Sequence, residues 1–253
     1  MFDIIRIPAF KDNYIWLLRK GAAAVVVDPG DAGPVLEVLD REGLALTAIV
    51  ITHHHADHQG GVAGLLARYP AAVLGPQVES ITGLSRPLRG GETIDLPGLG
   101  VAFEVIAVPG HTLGHLAYHG AGALFCGDTL FGAGCGRVFE GTMAQMLASL
   151  ERLAALPGDT AVYCAHEYTE ANLRFALAAD PGNRLLRQRA SEVVALRAAG
   201  GATVPSTLAQ EKATNPFLRC GDPALVASAQ RRVAQATSPL EVFTALREWK
   251  NGF

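Results

Sequence analysis

Ala48-Ile49-Val50-Ile51-Thr52-His53-His54-His55-Ala56-Asp57-His58 is the stretch whose reading decides the fold. Its four leading apolar residues read as a buried strand, and the polar cluster behind them is expected on the loop at that strand's C-terminal end. Four of the protein's eight histidines and a carboxylate fall within those last six residues. Imidazole and carboxylate at such short spacing are what a divalent metal requires, because several ligands must converge on one point. A polar loop that happens to be rich in histidine is the plain alternative. Further imidazole and carboxylate sites downstream, each after an apolar run, weigh against it.

Outward from this stretch, Met1–Pro8, Tyr14–Leu18 and Ala23–Asp28 read as short strands, the last closed by the turn Asp28-Pro29-Gly30. Pro34–Glu42 has helical spacing through Val35, Leu36, Val38 and Leu39, with Gly43 as its C-cap. Gly60–Tyr69 reads as a helix stopped by Pro70, and Val101–Val108 as a strand leading into Pro109-Gly110-His111-Thr112-Leu113-Gly114-His115. Leu116–Tyr118 and Ala123–Cys126 form a candidate strand pair before Gly127-Asp128-Thr129. Met143–Leu153 is an amphipathic helix, and Ala161–Cys164 is the last clear strand, ending at Ala165-His166-Glu167-Tyr168. Beyond it the pattern turns helical over Glu170–Ala179 and Asn183–Ala199. Thr207–Gln210 and Ser238–Glu241 match the capping-box pattern, the latter with proline at the first helical position. A domain boundary is therefore expected near residue 167, with a sheet-rich metal-binding domain over 1–166 and a helical one over 167–253.

Composition narrows the function. At 253 residues and 49% hydrophobic, the chain can bury a sizeable core. A formal charge of −3 without a long basic cluster argues against a nucleic-acid partner. No apolar run is long enough to span a bilayer and no export leader is visible, so no membrane partner and a cytoplasmic location are expected. Cys126, Cys135, Cys164 and Cys220 form no Cys-x-x-Cys pair and read as reduced thiols. Cys126 and Cys164 stand two residues before Asp128 and His166; they are metal-ligand candidates, but burial as small apolar groups is the favoured reading.

His111, Asp128 and His166 each follow an expected strand. With His53, His55, Asp57 and His58 they make five imidazoles and two carboxylates from four loops. That set suffices for two ions if one carboxylate bridges.

At this point the sequence resembles the metallo-β-lactamase superfamily, through the His53–His58 cluster, the Pro109–His115 segment and Gly127-Asp128-Thr129. Within it the chain is similar to the hydroxyacylglutathione hydrolases, or glyoxalase II. The added motifs are Gly134–Arg137, Glu140-Gly141-Thr142, Cys164–Thr169 and Thr214-Asn215-Pro216-Phe217-Leu218-Arg219. The resemblance implies an αββα sandwich followed by a smaller all-α C-terminal domain. It implies that His53, His55 and His111 hold one divalent ion, that Asp57, His58 and His166 hold another, and that Asp128 bridges them with a water or hydroxide. Zinc is the expected metal, with iron and manganese compatible with the same ligands. His54 points away in this arrangement, His115 is expected to be a supporting residue, and His119 has no assigned role.

The implied reaction is hydrolysis of S-(2-hydroxyacyl)glutathione, S-D-lactoylglutathione above all, as the second step of methylglyoxal detoxification. A thiolate leaving group, with a pKa near ~8.5, needs little help from an acid, and no extra acid is evident near the cluster. Asp57 is expected to orient the hydroxide as well as bind metal. For the substrate, the resemblance implies Arg137 at the glycyl end and Tyr168 on the thiol-peptide portion. Phe139 replaces a frequent tyrosine. Arg247 and Lys250, three apart on the last helix, are expected to hold a carboxylate; without the resemblance they would read as complements to the helix dipole. A monomer binding a small-molecule glutathione thioester is the result. The alternative is a mononuclear-iron glutathione persulfide dioxygenase, whose family usually lacks the helical C-terminal domain. A purely structural metal module fits less well, since such sites are usually saturated by protein ligands.

Overall fold

Leu17 and Leu18 are neighbours in sequence and both are wholly buried, one on each face of the same strand. In the computed structural model, which describes residues 2–253, this double burial organises the first of two units, Met1–Ala107 with Gly114–Gly127. Met1, counted above in the first expected strand, lies outside the described residues. The first sheet runs in order through β1 (Asp3–Ala9), β2 (Asn13–Lys20), β3 (Ala23–Val27), β4 (Ala45–Val50), β5 (Ala72–Pro76) and β6 (Arg86–Leu88). Its first two junctions are antiparallel and the remaining three parallel.

Because strand side chains alternate between faces, Leu17, Val26 and Ile49 join a core with Val35, Val38 and Leu39 of α1 (Ala32–Glu42). Helices α2 (Ala56–Gln59) and α3 (Val62–Leu66) follow β4, and Val62 and Leu65 of α3 join the same core. The sequence neighbours of Leu17, Val26 and Ile49, namely Leu18, Val27 and Val50, face Ile94, Phe103, Tyr118 and Phe125 instead. Those residues belong to an antiparallel meander of β7 (Thr93–Asp95), β8 (Ala102–Ala107), β9 (Leu116–Gly120) and β10 (Ala123–Gly127). Truncating Ile49 to Ala, in the core against α1, would cost about 2–5 kcal/mol. Tyr118 spans the two sheets and donates its hydroxyl to the Ile51 carbonyl at 2.7 Å.

Of the expected helix over Gly60–Tyr69 only α3 (Val62–Leu66) forms, and α2 precedes it across Gly60 and Gly61. A side chain at Gly61 would meet the backbone of Asp31 and Ala32 within about 2.6 Å, so the chain bends there to let two backbones approach. The histidine cluster is also not all loop: Asp57 and His58 sit in α2, with His55 at its N-cap.

The second unit is Val108–Leu113 with Asp128–Phe253. It opens with the small hairpin β11 (Leu130–Phe131) and β12 (Gly134–Cys135), followed by α4 (Met143–Ala154), β13 (Ala161–Cys164), α5 (Thr169–Ala179) and α6 (Arg184–Ala198). Strand β14 (Ser206–Thr207) pairs with β13, so Ala161–Cys164 is not the last strand. Helices α7 (Leu208–Thr214), α8 (Pro223–Gln230) and α9 (Pro239–Asn251) complete the unit. The box at Ser238 is complete and starts α9; Thr207 supplies only the forward cap, and a further complete box lies at Thr142 and Gln145.

A buried polar knot anchors the hairpin. Glu211 on α7 is fully buried and accepts from the Ala133 backbone N–H at 2.8 Å, the Arg189 guanidinium at 2.6 Å and the Asn215 amide at 3.2 Å. Asn215 also donates to the carbonyls of Phe131 and Gly134, at 3.2 and 2.9 Å. Ala133, at the hairpin tip, holds φ +53°, a region disfavoured for a residue with a Cβ.

Candidate metal centre and cleft

In the first unit, the C-terminal ends of β3 and β4 bring Asp28 beside the histidine cluster. The backbone N–H of Asp28 donates to the Val50 carbonyl at 2.9 Å, and its φ of +51° turns the carboxylate toward Thr52. Oδ1 accepts from the Thr52 N–H at 2.8 Å, and Oδ2 from the Thr52 hydroxyl at 2.7 Å. Oδ2 also lies 3.0 Å from His58 Nδ1, which fixes the proton there and presents Nε2. With its own proton committed to Asp28, the Thr52 oxygen accepts from His53 Nδ1 at 3.1 Å, so His53 presents Nε2 as well. One carboxylate therefore sets the ring orientation of two histidines.

His53 Nε2 and His55 Nδ1 stand 3.0 Å apart, and His58 Nε2 is 3.6 Å from Asp57 Oδ2. Two ligand atoms about 2.1 Å from a common ion at a tetrahedral angle would be about 3.4 Å apart, so both spacings fit divalent coordination. Asn13 donates to Asp57 Oδ2 at 3.0 Å. A Cβ at Gly30 would collide with the Asp57 carbonyl, so this approach requires glycine.

His54 leaves the group. Its N–H and Nδ1 lie 2.7 and 3.0 Å from Glu79, whose carboxylate also accepts from the Gly114 N–H at 2.8 Å. His115 is buried and stacks on His53, with centroids 4.6 Å apart and planes at 17°. His119 occupies a cross-strand position on β9 opposite Leu124 and Glu104.

In the second unit Asp128 lies between two imidazoles. Its Oδ2 is 3.4 Å from His111 Nε2 and its Oδ1 is 3.4 Å from His166 Nε2. Both spacings fit an imidazole and a carboxylate that share a divalent ion. The Arg137 carbonyl lies 2.8 Å from His111 Nδ1 and holds its proton. A Cβ at Gly136 would strike the Asp128 carbonyl, so the turn that closes beside this triad also needs glycine. Cys126 and Cys164 are buried; burial pushes the Cys164 thiol up to about 12, and it donates to the His166 carbonyl at 3.6 Å. A thiol so resistant to ionisation is a packing residue.

The triad opens, within the same unit, on a cleft of about 350 Å³ whose lining includes His111, Asp128 and all five expected substrate residues. Tyr168 stacks on His166 at 4.7 Å with planes 4° apart. Phe139 is 61% exposed, its ring 5.3 Å from that of His111. Arg137 donates weakly to the Asn251 carbonyl at 3.4 Å. Arg247 is buried and donates to the Cys135 carbonyl at 2.8 Å, and its Nε has no hydrogen-bond partner among the described residues. Lys250 stands beside it, its pKa lowered by burial and then by the Arg247 charge.

Sequence reading missed Asp28, Asn13 and Glu79. Asp28 carried a signal that was read only as a turn: an acidic residue ending a strand parallel to the one that delivers the histidines. For Asn13 and Glu79 no local pattern distinguishes them from surface polar residues.

Residues 10–166 match the family described as the metallo-β-lactamase superfamily, and residues 167–253 match the hydroxyacylglutathione hydrolase C-terminus. Among curated proteins, a hydroxyacylglutathione hydrolase of Dechloromonas aromatica is 60% identical over the whole length of both chains. One from Methylobacillus flagellatus is 53% identical over the same full extent. Among solved structures, ETHE1 from Myxococcus xanthus aligns with a TM-score of 0.67 at 26% identity, over 98% of this chain and 91% of that one. TTHA1623, solved in a di-iron-bound form, aligns at 0.60 and 26% identity over 85% of this chain and all of that one. The donor set is that of a divalent-metal site, and the αββα class with a helical C-terminal region agrees with both family matches. With full-length identities of this size, the chain belongs to the hydroxyacylglutathione hydrolase family of the metallo-β-lactamase superfamily.

Proposed function

We propose that this protein hydrolyses S-(2-hydroxyacyl)glutathione, S-D-lactoylglutathione in particular, to glutathione and the 2-hydroxy acid, the second step of methylglyoxal detoxification. One observation carries the reading to the substrate. Arg137, Arg247 and Lys250 line one cleft with His111 and Asp128, and among the described residues none of the three makes an ion pair. Arg247 is buried and Lys250 half-buried, and a buried cation without a carboxylate is costly unless an anion arrives from outside. Glutathione brings two carboxylates.

The proposed ligands are His53, His55 and His111 for one ion and Asp57, His58 and His166 for the other, with Asp128 shared. Family membership and the pairwise spacings within each unit support this division. Two divalent ions, zinc in our reading, supply a water acidified from about 15.7 to about 7 and a Lewis acid for the thioester carbonyl. The protein's own part is placement. Asp28 and the Arg137 carbonyl fix imidazole tautomers, and Asn13 holds Asp57 where it can accept a proton from the attacking water. Arg137, Arg247 and Lys250 hold the tripeptide by its charges, and Tyr168 flanks its thiol portion. The departing thiolate is a weak base, so no acid has to be positioned for it.

The substrate-binding part is assigned to residues 167–253, and the protein to the cytoplasm as a monomer. No helix among the described residues is long and apolar enough to cross a membrane, and none of the four cysteines is in a disulfide. The deciding experiment follows loss of thioester ultraviolet absorbance with S-D-lactoylglutathione, with metal analysis of the same sample. Turnover with two metals per chain and no oxygen demand supports the proposal. One iron per chain, with oxygen uptake on glutathione persulfide and no thioester hydrolysis, would overturn it in favour of the dioxygenase.

A further inference from the structure

Arg247 and Lys250 are not seated on carboxylates. They are seated on rings. The Arg247 guanidinium carbon lies 5.1 Å from the centroid of Phe217, and Lys250 Nζ lies 5.5 Å from that of Phe175. These two rings are stacked on one another, centroids 5.8 Å apart and planes at 10°, and both are wholly buried. Trp249 and Phe253 pack edge-on against Phe175 at 5.0 and 5.5 Å, and Phe243 against Phe217 at 5.8 Å. Asn215 accepts from the Phe217 N–H at 3.0 Å while its amide grips the hairpin, so Phe217 is registered to the same turn that carries Cys135.

A ring face attracts a cation through its quadrupole yet carries no net charge. A carboxylate in the same place would orient the two side chains but cancel their field toward the cleft. We propose that the stacked pair Phe175 and Phe217 are positioning residues that hold Arg247 and Lys250 in place for an anionic substrate without neutralising them. This rests on reading the cleft as the glutathione site. It assigns a role to the second half of the Thr214-Asn215-Pro216-Phe217 motif, which metal chemistry leaves unused.

The test replaces Phe175, and in parallel Phe217, with phenylalanines carrying one, two and five ring fluorines, in the full-length metal-loaded protein. Fluorination drains the ring face while nearly preserving its shape, so a packing role and a cation-holding role separate. Calorimetry with S-methylglutathione, which cannot be hydrolysed, reads binding independently of turnover. The expected result is a stepwise rise in Kd, roughly three- to fivefold across the series at each ring, with Tm held and a matching rise in KM for the thioester at nearly constant kcat. Phe175→Leu should weaken binding at least as much; if it fails to fold, the fluorinated series still decides. Binding by the wild type together with a flat fluorinated series overturns the positioning role and leaves the function standing. Absence of S-methylglutathione binding by the wild type overturns both.

Discussion

The Asp28 carboxylate lies 3.0 Å from His58 Nδ1, and this contact decides which nitrogen His58 presents. The same oxygen accepts from the Thr52 hydroxyl, and through it governs His53. Asp28→Ala removes the acceptor for three buried donors at once. Metal affinity should fall by about 10- to 100-fold. Competition against a graded chelator, read as metal retained per chain, measures this directly, and Thr52→Val should give a smaller loss through His53 alone.

Asp57→Asn keeps a side chain of the same shape at the end of the Asn13 contact but cannot take a proton. We expect kcat to fall by roughly 10²-fold or more. Steady-state kinetics beside metal analysis separates the two roles given to Asp57: a variant retaining full metal and full turnover would reduce it to, at most, a dispensable ligand.

Arg247→Ala combined with Lys250→Ala should raise KM for the glutathione thioester far more than it lowers kcat, because in the proposed function these groups hold parts of the substrate remote from the carbonyl. Loss of a desolvated partner for a carboxylate costs about 2–5 kcal/mol, so a KM increase of at least about thirtyfold is expected. An unchanged KM would remove both residues from the substrate site.

Lys250 also sets a pH dependence. Burial comes first, then the charge of Arg247, opposed by Cys135, with Arg174 and Arg137 adding lesser effects; together they hold its pKa below that of an ordinary lysine. Only the ammonium form pairs with a carboxylate. KM should therefore be flat below the lowered pKa and rise as pH passes through it, earlier than an exposed lysine would allow. Lys250→Arg, which stays charged, should flatten that rise. In the window between the folded and unfolded pKa the unfolded chain holds more protons, so this group makes stability increase with pH there.

Arg189→Met leaves Glu211 buried without its cation. A loss of about 3–5 kcal/mol is expected on breaking such a pair from one side. Chemical denaturation checks it, and the loss should be accompanied by weaker thioester binding, since Glu211 also holds the Ala133 N–H at the hairpin tip.

The proposed metal ligands stood out in the sequence because each group of them follows soon after a strand, where apolar periodicity and a sudden histidine or aspartate make a sharp contrast, although Asp57 and His58 lie in α2. The longer apolar strands were legible for the same reason, to within about two or three residues, whereas the two-residue strands β11 and β12 were not. What escaped was whatever depends on close approach or on an unremarkable residue. The break at Gly60-Gly61 follows from backbone crowding against Asp31, which no periodicity records. Strand β14 is two residues long and is defined only by its partner. Glu79 and Asn13 act through hydrogen bonds to residues 25 and 44 positions away. Arg247 was legible as a cation near the end of α9, but its burial and its ring-seated setting were not.

The nearer anchor for that cation is the carbonyl oxygen of Cys135, at 2.8 Å, with the Sγ of the same residue a weaker acceptor at 3.6 Å. A main-chain acceptor is present whatever codon stands at position 135, so no single substitution there deletes it. On the hairpin side, mutation can release Arg247 only by displacing the backbone, and the hairpin is tied down through Asn215 and Glu211. Tolerance at the visible contact and intolerance at residues 80 positions distant is the pattern a saturation screen of this cleft should return.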